Sequence, residues 1–102
     1  MAAKLITVYW RDIPAQVIAK KGRESAKAML SARFQEAIDR AAMRAGRGST
    51  DAYLADWRRE PRPCGDDLQA EADAAVQALE AEFSDEDLDA LAKARGVRQP
   101  AT

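Results

Sequence analysis

The run ITVYWRDIPAQVIAKKGR at residues 6–23 constrains the fold more than any other stretch. Its apolar residues recur with period two, whereas those of the later chain recur at three and four. Alternation over residues 4–12 predicts a strand with Ile6, Val8 and Trp10 on one face and Leu5, Thr7, Tyr9 and Arg11 on the other. β-branched and aromatic side chains suit a pleated surface. Ile13-Pro14 interrupts the run, because proline cannot donate to a ladder. Residues 15–20 then read as a second strand, with Gly22 as the turn beyond it. A hairpin over 4–22 follows, and two strands alone must pack on something.

The following segment supplies a candidate. Residues 24–45 are rich in Ala, Glu, Arg and Met, which favour helix. Ala26, Leu30, Phe34, Ala37, Ile38, Ala41 and Ala45 make an apolar stripe at helical spacing. Glu36 and Arg40 form an i,i+4 pair on the opposite face. Gly46 is the expected left-handed cap. A short helix is predicted over 50–60, capped by Ser49 or Thr50 and stopped by Pro61, with a linker at PRPCGDD. Helices over 67–83 and 85–95 follow, the last with Ser84 as N-cap and Gly96 as terminator. The expected architecture is α+β: one domain over 1–98 with a β-hairpin packed on a long helix, three shorter helices, and a frayed tail at 99–102.

Charge is split along the chain. Residues 1–50 hold ten Lys/Arg and four Asp/Glu, and residues 51–102 hold six and thirteen. The net charge is only -1, so no overall field favours nucleic acid or membrane; the two halves can pair within one fold. Histidine is absent and Cys64 is the single cysteine. The commonest general base, the commonest metal ligand and any internal disulfide are thereby removed. The N-terminal segment has no signal-peptide pattern and no run approaches the roughly 20 apolar residues of a membrane span. The expected compartment is the cytoplasm.

Four constellations remain. Tyr9 and Arg11, on the face opposite Trp10, can stack a partner aromatic or a flat ligand. Lys20, Lys21, Arg23 and Lys27 form a basic cluster that can hold phosphate or, more plainly, keep an edge solvated. Trp57 and Arg58 lead to Cys64, a thiol with neither a histidine to activate it nor a second cysteine for redox chemistry. Asp66, Asp67, Glu71 and Asp73 lack the spacing of a calcium loop. No catalytic residue, metal or cofactor is therefore assigned. The partner-binding candidates are Tyr9, Arg11, Lys20, Lys21 and Arg23, with Trp57, Arg58 and Cys64 secondary. The expected ligand is a protein, with nucleic acid and membrane disfavoured, and open hairpin edges offer a route to a homo-oligomer.

Residues 5–46 resemble the opening of the bacterial virulence factor family, a small domain also similar to a segment of conserved virulence factor C proteins. Tyr9-Trp10-Arg11-Asp12-Ile13-Pro14, Lys20-Lys21-Gly22-Arg23 and Phe34-Gln35-Glu36-Ala37-Ile38-Asp39 carry the likeness, which continues through residues 51–60. The resemblance supplies no catalytic residue or cofactor. It implies a stand-alone interaction or accessory module. Through the association of such modules with one-carbon and corrinoid methyl-transfer genes, it also implies an alternative role as an accessory subunit in folate- or corrinoid-dependent methyl transfer.

Overall fold

The structure, a computed structural model, describes residues 2–46 and 55–97. Strands β1 (Ala3–Trp10), β2 (Ile13–Lys21) and β3 (Glu24–Met29) form an antiparallel meander. Helix α1 (Ala32–Arg44) follows. Strand β4 (Trp57–Cys64) then returns to pair with β1, giving the order β3-β2-β1-β4. Helices α2 (Leu68–Glu82) and α3 (Asp85–Lys93) complete the described chain. The α+β class stands, but the sheet has four strands where a two-strand hairpin was expected.

Two predicted helices are corrected. Residues 24–29 lie in β3, so α1 starts at Ala32 rather than at 24. A two-residue loop at Gly22-Arg23, with Gly22 at φ +61, sets Lys21 opposite Glu24. Ala26 and Ala28 then turn toward a cluster that includes Leu68, Ala72 and Ala75. Tertiary packing thus overrides local helix propensity. The helix expected at 50–60 is replaced, from Trp57 onward, by β4; residues 47–54 and the tail at 98–102 lie outside the described residues. Pro61 and Pro63 share one parity, so a ladder can run past both if their missing donors point to the free side. The expected linker at 61–67 is therefore largely strand, and Cys64 ends it opposite Ala3.

The turn between β1 and β2 also moves. Ile13 and Pro14 begin β2 and are both fully buried. The two turning residues are Arg11 and Asp12, with Arg11 at φ +53. Next to this turn the register slips: Val8 faces Gln16, but Tyr9 faces Pro14. Ala15 is left as a bulge, and its carbonyl accepts the Leu30 amide at 3.2 Å. The bulge reverses parity along β2, while β1 keeps an unbroken register with β4. Leu5 aligns with Ala19 and Thr7 with Val17, yet Trp10 aligns with Ile13. Leu5 and Trp10 are both fully buried although alternation puts them on opposite faces, Leu5 against Leu68 and Ala72 and Trp10 against Phe34, Ile38 and Phe83.

The core has two clusters. Trp10, Ile13, Phe34, Ile38, Phe83 and Leu88 anchor one, with Phe34 and Phe83 edge-to-face at 5.8 Å. Leu5, Val17, Ala19, Leu68 and Ala72 anchor the other. Helix α2 covers the sheet face that carries Val17 and Ala19, while α1 and α3 pack against each other around Trp10 and Ile13. Ser84 caps α3 as expected, in a reciprocal capping box with Asp87. Gly46 follows α1 at φ +71.

The acidic and basic halves do meet inside the fold. Glu80 on α2 accepts the Ser31 amide (2.6 Å) and hydroxyl (2.9 Å) just before α1. Arg33 donates to the Glu80 carboxylate and main-chain carbonyl and pairs with Asp85 at 3.1 Å. Burial pushes the Glu80 carboxyl up, but Ser31 and Arg33 outweigh it and hold it below its ordinary range. Arg40 pairs with Asp89 rather than with Glu36. Hydrogen bonds from Lys93, then Arg40, hold the Asp89 carboxyl below its ordinary range.

Candidate functional site

The sequence candidates separate into groups at opposite ends of β2. Tyr9 and Arg11 sit at the β1–β2 turn, and Lys20, Lys21 and Arg23 at the β2–β3 turn. At the rise of an extended strand they stand about 25 Å apart. One contact patch of ordinary size would have to run along the hairpin to include both.

The β1–β2 turn is a corner that ties three segments together. Arg11 pairs with Asp56 at 3.3 Å, and its Nη1 donates to the Arg95 carbonyl at 2.9 Å. The Arg11 amide donates to the Asp56 carbonyl at 3.1 Å, and its guanidinium lies 5.1 Å from the Trp10 ring centroid. These contacts hold a non-glycine residue at positive φ, a conformation that costs about 1–3 kcal/mol. The Asp12 amide donates to the Gly96 carbonyl at 2.8 Å. Arg58 donates to the Arg11 carbonyl, pairs with Asp12 at 3.4 Å and stacks 4.7 Å from the Tyr9 ring centroid. The side chains that made this stretch a binding candidate are thus engaged with the chain itself.

The opposing end of that corner is the stop of α3. Arg95 (φ +66) and Gly96 (φ +83) form a left-handed terminus in which the Gly96 amide donates to the Leu91 carbonyl at 2.7 Å. Gly96 lies flat on Trp10: a Cβ there would fall 2.8 Å from Trp10 Cζ3.

At the other turn, Lys21 pairs with Asp66 at 3.2 Å, an exposed contact of small energetic weight. Lys20 and Arg23 are exposed. Trp57 and Arg58 open β4 and Cys64 ends it, about 23 Å away at strand rise. The Cys64 thiol is pushed up by desolvation and then by Glu71, the reverse of what an activated nucleophile needs. No group of acidic or cysteine side chains among the described residues is placed to hold a metal ion.

The sheet face turned away from the helices was not legible as a site, because two of its strands were not identified. Its cross-strand rows are Pro61–Ile6–Ile18–Lys27, Arg59–Val8–Gln16–Met29 and Pro63–Lys4–Lys20–Ser25. The centre is aliphatic and no carboxylate occupies these rows. Lys4, Lys20, Lys27 and Arg59 are exposed and form no ion pair with the described residues. Met29, at 63% exposure, stands at the β3 edge. Toward the corner, Val8, Gln16, Trp57, Arg58 and Arg59 line a shallow groove of about 460 Å³. The alternation of Ser25, Lys27 and Met29 with Ala26 and Ala28 was the available sequence signal, masked by helix-favouring composition.

No described helix is long and apolar enough to cross a membrane. No curated protein and no solved structure matches the chain. A family model described as Virulence factor does match, over residues 8–92. That span runs from the β1–β2 corner to the last turns of α3, and the chain therefore belongs to the virulence factor family.

Proposed function

We propose that this domain is a protein-interaction or accessory module with no catalytic chemistry of its own, and that its contact surface is the helix-free face of the sheet. One observation carries the reading: that face combines an aliphatic centre at the half-buried Ile6 and Ile18 and the exposed Pro61 with exposed cations that have no partner within the described fold. Large apolar side chains rimmed by polar groups are the usual composition of a docking surface. The corner residues Tyr9 and Arg11 position this surface rather than form it, and Lys20 lies within it. Affinity purification from the native host, with wild-type protein and the paired variant Ile18→Thr/Met29→Ser, tests the assignment. The variant should lose the wild-type partners while keeping its circular dichroism. Equal recovery by both proteins would refute it.

The groove beside Trp57 supports a second reading, an accessory subunit for folate- or corrinoid-dependent methyl transfer. Its volume falls in the range of small-molecule sites, and Arg59 supplies positive charge for a flat anionic ligand. Thermal shift with folates and cobalamins, alone and with neighbouring gene products, should then show stabilisation that Trp57→Ala abolishes. An unchanged melting temperature in every mixture would count against it.

A further inference from the structure

We infer that the occupant of the sheet face is an acidic amphipathic helix of another protein, presenting an apolar stripe flanked by carboxylates. This rests on the proposed docking role of that face. Three features of the structure select the occupant.

The first is shape. Pro61, Ile6 and Ile18 form a row across three strands, the proline exposed and the two isoleucines half-buried. At the spacing of paired strands the row is about 10 Å wide, close to the diameter of one helix with its side chains.

The second is charge. Lys4, Lys20, Lys27 and Arg59 surround this apolar strip on both sides, with no acid among them. The chain's own carboxylates are elsewhere: ten fall between Asp66 and Asp89, a span without Lys or Arg, on the elements that cover the opposite side. Burying four cations beside an uncharged or basic partner would leave them desolvated without compensation, whereas flanking carboxylates would pair with them.

The third is what the face and its edges disfavour. Bases stack on aromatic rings; the three rows contain none, and the half-buried Trp57 beside them offers a single ring, so single-stranded nucleic acid lacks an extended platform. Strand addition at β4 meets Pro61 and Pro63, which present no donor. At β3 it meets a six-residue strand with Lys27 at its middle. The available surface is the face, and a helix can lie on a face without taking an edge.

The test places a photoreactive benzoylphenylalanine at Met29, on the rim, and separately at Gln69 on α2 as a control. Cross-linking is carried out in cells of the native host, and the attached peptide is sequenced by mass spectrometry. The expected result is a protein adduct from position 29 alone. Its site should lie in a segment with apolar residues at i, i+3, i+4 and i+7 and carboxylates beside them. Adding Lys20→Glu/Lys27→Glu should lower the yield about tenfold, since charge reversal turns attraction into repulsion. Capture of a basic or uncharged segment, of nucleic acid, of lipid, or of a second copy of this chain would overturn the inference while leaving the face a docking surface. An unchanged yield in the charge-reversed protein would overturn it in the same way. Absence of any adduct at position 29 would overturn the docking role as well.

Discussion

Replacing Gly96 with alanine probes the contact that closes the fold between its two ends. Gly96 has φ +83, where an L-side chain costs about 1–2 kcal/mol. The new Cβ would also stand 2.8 Å from Trp10 Cζ3, 3.2 Å from Cε3 and 3.4 Å from the Ala41 Cβ. Trp10 is fully buried and Ala41 belongs to the same cluster, so neither can swing aside. Overpacking of this kind costs about 1–3 kcal/mol. Loss of backbone freedom in the unfolded chain offsets about 0.4–1 kcal/mol. The net expectation is a loss of about 2–4 kcal/mol, read as a lower urea midpoint at unchanged slope. At about 4–8 °C per kcal/mol for a chain of this size, the melting temperature should fall by about 8–32 °C. A double-mutant cycle with Trp10→Leu separates the two causes. In that background only the backbone part less the unfolded-chain offset, about 0–1.6 kcal/mol, should remain for Gly96→Ala. A loss under about 0.5 kcal/mol for the single variant, or strict additivity in the cycle, would refute the packing argument.

Four further outcomes are expected. Glu80→Gln should cost about 1–2 kcal/mol in chemical denaturation, because Ser31 and Arg33 lose a charged acceptor. Glu80 and Asp89 both have lowered carboxyl pKa values in the fold. Their contribution is therefore complete above the ordinary carboxylate value and is lost as the pH falls through the lowered one. Urea midpoints should be flat from neutral pH to about 5 and decline below it, less steeply in Glu80→Gln. Cys64, whose thiol is pushed up, should react with iodoacetamide at pH 7.5 more slowly than free cysteine in a timed alkylation assay. Pro61→Val/Pro63→Val should restore two donors to the outer edge of β4 and raise the weight-average mass in light scattering at millimolar protein; an unchanged monomer would contradict the edge argument.

What could be read from the sequence was what local chemistry decides. The helices at 68–82 and 85–93 follow from period and caps, as does the role of Ser84. Trp10 was assigned to the core and is there. The misses arise where distant contacts outvote local preference. ESAKAM favours helix by composition, yet Ala26 and Ala28 face Leu68, Ala72 and Ala75, about forty or more residues later. RREPRPC carries two helix-breaking prolines, and its pairing with β1 depends on where their missing donors point. A single bulged residue, Ala15, reverses parity along β2, so Ile13 lies beside Trp10 rather than with Val17 and Ala19. The candidate surface was hidden for the same reason: its rows draw on four strands, and only β1 and part of β2 were visible beforehand. Conversely, Tyr9-Trp10-Arg11-Asp12 stood out as a motif because it is unusual locally, and its contacts prove to be with Asp56, Arg58, Arg95 and Gly96.

The tie between Asp12 and Gly96 has a consequence for synthesis of the protein. Residues 3–29 can form their meander while the rest is still being translated, but the bare side of the Trp10 indole waits for a glycine made 86 residues later. β1 likewise waits for β4 along its second edge. At ordinary elongation rates of about 5–20 residues per second, an incomplete sheet with an open edge persists for several seconds on each ribosome. Final closure therefore waits until Gly96 has emerged, and a chain truncated before Gly96 would keep its indole uncovered and its corner untied.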